Sequence, residues 1–239
     1  NKVMGSTEKV VIIPTFNESE NISKIVENLS VLEVDILIVD DNSPDKTFEI
    51  VENLKLKNNR ISLIKRSKKL GLGSAYRDGF KHCLEMNYTH FIQMDADFSH
   101  RIEDLNKMLV FSNNYDLVIG SRYIEGGSSE GWSKRRKSLS RFANKYAKFI
   151  TGCKIEDMTS GFRIYSKKAL QKMKFEETTS DGYGFQIEMS ARAYKKKLNF
   201  IEVPIIFNER REGESKMDLK IIIEALFIVF RLRLSRLNN

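Results

Sequence analysis

Val10-Val-Ile-Ile-Pro-Thr-Phe-Asn-Glu18 decides the fold. Four successive β-branched apolar residues show no polar alternation, so both faces of the segment must be buried, as in a parallel strand with helices on either side. Pro14, Thr15, Asn17 and Glu18 then place polar groups just past the strand's carboxyl end, where ligands bind in an open α/β sheet. The pattern recurs: Ile36-Leu-Ile-Val39 runs into Asp40-Asp-Asn-Ser43, Phe91-Ile-Gln-Met94 into Asp95-Ala-Asp97, and Leu117-Val-Ile119 into Gly120-Ser-Arg122, with Ile61-Ser-Leu-Ile64 as a further strand. Amphipathic sequence separates these runs, which gives a doubly wound, mostly parallel α/β sheet over about 10–120. Asn17 with Glu20 three residues on reads as a capping box, and Ser43-Pro44 as a second helix start.

Beyond Arg122 the rhythm changes. Glu125–Gly131 is loop-like, Lys134–Gly152 is a basic helix, and Tyr183–Lys196 is a helix between strands at Phe162–Tyr165, Phe200–Val203 and Ile205–Phe207. No linker divides the chain, so a single domain is expected.

The 239 residues are 41% hydrophobic, enough for a sizeable core, and this excludes disorder as the main reading. The excess of 40 Lys and Arg over 32 Asp and Glu gives a net charge of +8, so anionic partners are expected: nucleic acid, acidic lipid or phosphorylated substrates. No RRM, KH or helix-turn-helix signature accompanies the charge, which disfavours nucleic acid. Cys83 and Cys153 form neither a disulfide scaffold nor a zinc ribbon, and a reducing, cytosol-facing location is expected. The stretch Ile221–Phe230 is ten residues long and interrupted by Glu224, whereas a spanning helix needs about twenty apolar residues. With Arg231, Arg233 and Arg236 behind it, it suits either a core-closing helix or one lying in a membrane interface.

Four polar turns converge on one rim of such a sheet. Two carboxylates one residue apart at a strand end, Asp95 and Asp97, can grip a hard divalent cation, which in turn neutralises a diphosphate. His100 is a candidate extension of that shell. Helix capping would account for Ser43 or Asn17, but for neither the doubled Asp40-Asp41 nor Asp95 with Asp97. Gly71-Leu-Gly73 begins like a dinucleotide fingerprint but has Tyr76 at the third glycine, and Gly126–Gly131 has P-loop spacing with Trp132 in place of the lysine. Neither a Rossmann dehydrogenase nor a P-loop nucleotidase fits, and there is no Gly-x-Ser-x-Gly elbow.

Val11-Ile-Ile-Pro-Thr-Phe-Asn-Glu18, Val39-Asp-Asp-Asn-Ser-Pro-Asp45, Gly71-Leu-Gly-Ser-Ala-Tyr-Arg-Asp-Gly79, Asp95-Ala-Asp-Phe-Ser-His100, Gly120-Ser-Arg-Tyr123, Thr159-Ser-Gly-Phe-Arg163 and Gly213-Glu-Ser-Lys216 together resemble the dolichol-phosphate (polyprenol-phosphate) mannosyltransferases of glycosyltransferase family 2. Trp132, Arg136, Ser140-Arg141 and Phe185-Gln186 narrow the resemblance to the lipid-phosphate branch. It implies a GT-A fold over residues 1–217, with 218–239 as an amphipathic, membrane-interfacial or core-closing helix. It further implies inverting transfer of mannose from GDP-mannose to a polyprenyl phosphate. The alternative is another donor, such as UDP-glucose, on the same acceptor.

Carried onto this chain, the resemblance assigns Pro14, Thr15, Asn17, Glu18, Asp41, Ala96, Arg210 and Lys216 to the donor nucleotide. Asp95 and Asp97 hold the metal, Mg²⁺ or Mn²⁺, and with Arg122 form the catalytic set. Arg122, Arg136, Ser140 and Arg141 meet the acceptor phosphate, and Asp157 with Phe162-Arg163 forms a further acceptor-side motif. The basic residues Lys134-Arg-Arg-Lys137, Arg141, Lys145 and Lys148 are expected to face anionic headgroups. The implied place is the cytoplasmic face of a membrane, held peripherally, with a separate membrane-anchoring subunit left open. Two departures stand out: Lys46 and Arg101 occupy positions where the family commonly has glycine and proline.

Overall fold

The computed structural model describes residues 7–209. The first half runs β1 (Lys9–Thr15), α1 (Ile22–Ser30), β2 (Asp35–Asp40), α2 (Thr47–Lys57), β3 (Ile61–Lys65), α3 (Leu72–Leu84), β4 (His90–Gln93), α4 (Ile102–Leu109) and β5 (Leu117–Ser121). After it come β6 (Ser128–Ser129), α5 (Lys134–Thr151), β7 (Arg163–Ser166), α6 (Lys167–Met173), α7 (Gly182–Lys195), β8 (Phe200–Pro204) and β9 (Ile206–Phe207).

Seven strands form one sheet in the order β3-β2-β1-β4-β7-β5-β8. The pairs β1–β2, β2–β3, β1–β4 and β5–β8 are parallel, while β7 runs antiparallel between β4 and β5. The doubly wound, mostly parallel sheet expected from the apolar runs is therefore present. The short pair β6–β9 lies outside the main sheet, and β6 falls inside the stretch read as a loop.

Continuous apolar runs bury two faces at once. Val10, Ile12, Leu37, Val39 and Phe91 point into a core shared with Tyr76, Phe80 and Phe185 of α3 and α7. Val11, Ile13, Ile36, Ile38 and Ile92 point into a second core with α1 and α4. Each such buried side chain contributes roughly 1.5–3 kcal/mol relative to exposure. At Gly79 a Cβ would sit 2.6 Å from Ile12 Cγ2, so glycine lets α3 lie directly on β1.

Two helix starts differ from the sequence reading. Helix α1 begins at Ile22 with Asn21 at its N-cap, and no side chain caps it. Asn17 instead takes a left-handed φ of 61° and its N–H donates to Ser43 Oγ, so the expected Asn17–Glu20 capping box is absent. Helix α2 begins at Thr47, because Ser43 is turned back to donate to Asp40 and Asp45 accepts from the Thr47 N–H. Ser43 Oγ thus accepts from the Asn17 N–H and donates to Asp40, so it bridges the two turns and caps neither helix.

The order of the sheet reverses between β1 and β4, and a crevice opens at their carboxyl ends. The sequence division 1–217 and 218–239 falls beyond the described residues.

Candidate active site

A cleft of about 530 Å³ lies above that reversal point. Pro14, Thr15, Glu18, Asp41, Asp95, Ala96, Asp97 and Arg122 all line it, so four strand ends deliver their expected residues to one cavity. Thr159, Ser160 and Gly161 close the far wall, and Asp181, Tyr183 and Gln186 come from the start of α7 and the turn before it.

The β1–β2 corner is fixed by short hydrogen bonds. Asp40, fully buried, accepts from Thr15 Oγ1 at 2.8 Å and from the Ser43 N–H at 2.9 Å, so it is a brace between the two strand ends. Asp41 reaches the cleft wall, where its carboxylate accepts from Arg66 and from the backbone N–H groups of Leu70 and Gly71. Gly71 takes a φ of 94°, a region open to glycine at little cost, and so lets the turn close on that carboxylate. Asn17 is exposed on the same rim and is not among the lining residues.

At the end of β4 the backbone carries Asp95 and Asp97 to the cleft floor. Asp97 Oδ1 accepts from the Ser99 N–H at 3.0 Å, and Tyr76 Oη lies 3.3 Å from Asp95 Oδ1. Burial and the Asp95 charge push the Tyr76 phenol well above 10, so it stays a donor. The tyrosine that spoils the dinucleotide fingerprint is thus a buried support for the Asp95 turn. His100 is buried and stacks on Phe162 at 4.5 Å. Its Nδ1 accepts the Asp95 N–H, which puts the proton on Nε2, and burial lowers it to about 4 despite the Asp97 charge. His100 therefore supports the loop as a neutral ring, with Nε2 4.0 Å from Asp95 Oδ2.

Among the described residues no cluster of three or more His, Cys, Asp or Glu could hold a metal alone. Asp95 and Asp97 fit the kind of site in which one or two carboxylates share a hard cation with substrate phosphates and water.

Arg122 is held from below. Its backbone N–H and Nε donate to Asp157 Oδ2 at 2.9 and 2.8 Å, and Nη2 reaches Asp157 Oδ1 at 2.7 Å and Thr159 Oγ1 at 2.8 Å. Burial opposes the Asp157 charge, but the Arg122 guanidinium outweighs it and holds that carboxyl below its ordinary 3.8. Asp157 thus acts through Arg122, which it locks at the cleft.

Three acceptor-side candidates lie outside the lining. Arg136 stacks over Trp132 at 4.1 Å and pairs with Glu209 at 3.0 Å; Ser140 Oγ is 2.5 Å from Tyr123 Oη; Arg141 is exposed on α5. Arg210 and Lys216 lie outside the described residues. Sequence reading missed Arg66 and Asp181, each of which sits in a charged or glycine-rich stretch that looks solvated in one dimension.

The family profile described as Glycosyl transferase family 2 matches residues 10–174. The chain is 42% identical over 231 residues to a polyprenol monophosphomannose synthase of Mycolicibacterium smegmatis, covering 95% of this chain and 87% of that one. It is 38% identical to an undecaprenyl-phosphate mannosyltransferase of Micrococcus luteus, over 93% and 92% of the two chains. Its fold is that of GT-A nucleotide-sugar transferases. One such structure is the mannosyltransferase PcManGT from Pyrobaculum calidifontis in complex with GDP-Man and Mn²⁺, at TM-score 0.55 and 13% identity over 95% of this chain and 73% of that one. With a cleft at the sheet's reversal point, a profile match over most of the chain and close relatives along nearly all of it, this protein belongs to glycosyltransferase family 2.

Proposed function

We propose that the protein is an inverting transferase that moves mannose from GDP-mannose to a polyprenyl phosphate. The observation that carries the reading is the convergence of Asp95, Asp97 and a locked Arg122 on one cleft, in a chain whose relatives act on polyprenyl phosphates.

Breaking the anomeric bond to a diphosphate develops negative charge on the leaving group. Asp95 and Asp97 would hold Mg²⁺ or Mn²⁺, which supplies charge neutralisation of that diphosphate. Arg122 presents a guanidinium whose orientation is already set by Asp157, so little reorganisation is needed when phosphate charge arrives. The acceptor is a phosphate monoester, already anionic at neutral pH, so its oxygen attacks without a protein base. Arg136, Ser140 and Arg141 on α5, with Arg210 and Lys216, are the further candidates for holding the two phosphate groups apart and in line.

The lipid acceptor implies a membrane surface at the cytoplasmic face. No helix among the described residues is long and apolar enough to cross a bilayer. Helix α5 supports peripheral contact, because it buries Ser140, Asn144, Ala147 and Thr151 while Phe142 and Phe149 are 60% and 81% exposed. The two phenylalanines are seven residues apart, on one face, among exposed Lys134, Arg135, Lys137, Arg141 and Lys145. Aromatic rings ringed by cations suit an anionic bilayer interface, at about 1 kcal/mol per basic residue close to the surface.

The test is transfer of labelled sugar to a polyprenyl phosphate with Mg²⁺ or Mn²⁺, with GDP-mannose and UDP-glucose run in parallel. Labelled lipid from GDP-mannose alone is the expected result. Product only from UDP-glucose keeps the acceptor and removes mannose, and no lipid product from either donor overturns the acceptor assignment.

A further inference from the structure

Arg66 was one cation among Lys65-Arg-Ser-Lys-Lys69 in the sequence, yet its side chain is only 4% exposed. It sits behind the cleft wall and does not line the cavity. Its guanidinium meets four different groups: the Asp41 carboxylate, Gly71 O at 3.0 Å, Ser74 Oγ at 2.7 Å and Asp78 Oδ2 at 3.2 Å. Those groups come from the end of β2, the turn before α3 and the first two turns of α3, so one side chain ties three segments together.

Asp41 is consequently committed. One carboxylate oxygen accepts from Arg66, and the other accepts from the N–H groups of Leu70 and Gly71 at 3.0 and 3.1 Å. A carboxylate has about four lone-pair positions in all. Its geometry is that of a strut holding the Leu70–Gly71 turn, whose Gly71 lines the cleft together with Lys69. Lys69 Nζ lies 3.8 Å from the Phe16 ring centroid and so links that turn to the wall after β1.

We propose that Arg66 is a positioning residue for the donor nucleotide, acting through Asp41 and the Lys69–Gly71 turn. The inference rests on the reading of this cleft as a nucleotide-sugar site. With the diphosphate beside Asp95 and Asp97, and Arg122 on the acceptor side, the nucleoside lies toward β1 and β2, against the wall that Arg66 fixes. Lysine cannot replace it there, because a point charge on a flexible stem does not hold a carboxylate, a carbonyl and a hydroxyl in fixed directions.

The experiment compares wild type, Arg66→Lys, Arg66→Gln and Ser74→Ala, with Asp78→Asn as a control at a half-exposed partner. Wild type is first titrated with GDP and with UDP by calorimetry, and the nucleotide that binds is used for the variants. Arg66→Lys is expected to weaken nucleotide binding and raise donor KM about tenfold, with kcat and acceptor KM within twofold of wild type. Arg66→Gln should lose more, so that lysine is a partial rescue, and Asp78→Asn should change little. If neither Arg66 variant folds, Ser74→Ala carries the test, with an expected threefold loss of nucleotide affinity. Unchanged nucleotide binding in a folded Arg66→Lys, or a fall in kcat at constant donor KM, overturns the proposal and leaves the cleft assignment standing. A wild type that binds neither nucleotide overturns both.

Discussion

The two walls of the cleft are built by different physics. On the side proposed for the donor, from β1 to β4, most side chains are placed by turns, with the buried Arg66–Asp41 pair behind them. Asn17, Asn42, Lys46 and Phe98 all take positive φ there, and hydroxyls and carboxylates a few residues away, or on the next strand end, lock each turn. On the side proposed for the acceptor, from Arg122 on, placement depends on ion pairs between segments far apart in the chain: Arg122 with Asp157, and Arg136 with Glu209. The first wall is a set of local decisions carried by a parallel sheet. The second exists only after β7 has inserted between β4 and β5 and brought the 157–161 loop beneath Arg122. The first wall should therefore tolerate loss of single turn contacts, the buried Arg66–Asp41 pair excepted, whereas the second should fail at one buried pair.

The strongest way to break this contrast is Asp157→Asn. It keeps the shape of the side chain but leaves Arg122, 4% exposed, with no carboxylate on its guanidinium. Removing one partner of a buried pair costs about 3–5 kcal/mol, and a loss near 3 kcal/mol is expected here in denaturant unfolding. The sign with pH follows from the depressed carboxyl. Asp157 contributes its full stability above its ordinary 3.8 and loses it as pH falls through the lower folded-state value, so wild type and variant should converge only in acid below about 3.8. A pH-independent difference would show that the ion pair is not its source. Asp97→Ala, on the donor floor, should behave oppositely: fold and melting are kept while turnover falls at least tenfold, about 1.4 kcal/mol of barrier. Full activity in a folded Asp97→Ala would remove the metal assignment.

A smaller effect separates buried from exposed pairs on the same wall. Glu209→Gln breaks the contact to Arg136, but the Glu209 side chain is 40% exposed, so the stability change should stay under about 1 kcal/mol. A loss as large as that of Asp157→Asn would mean that Arg136 is as structural as Arg122.

The same contrast explains what the sequence disclosed. Val10–Ile13 and Ile36–Val39 announce their burial by local composition alone, and the polar residues after them are where the cleft proved to be. A four-residue strand such as β7 carries no mark of which strands it will separate, since antiparallel insertion is a property of the whole sheet. Asn17 and Ser43 matched capping patterns that depend on spacing, and lost those roles to partners 26 and 3 residues away. Arg66 was hidden because a buried guanidinium and a solvated one have the same letter and the same basic neighbours. Asp157 was visible as a motif residue, but its work of holding Arg122 required the fold.

The finest test concerns Lys46, where the family commonly has glycine. Lys46 sits at φ 63° and ψ 28° immediately before α2, a left-handed conformation that costs an L-residue roughly 1–2 kcal/mol. Lys46→Gly removes that cost, adds back about 0.5–1 kcal/mol of backbone entropy, and gives up a pair with Glu49 whose two side chains are 69% and 52% exposed. The net expectation is a gain of about 0.5 kcal/mol, read as an upward shift of the denaturant midpoint, with nucleotide affinity unchanged because Asp45 and Ser43 still hold the turn through Thr47 and Asp40. Destabilisation by Lys46→Gly would mean that the lysine contributes more than its backbone costs, and that the donor wall depends on surface charge as well as on its turns.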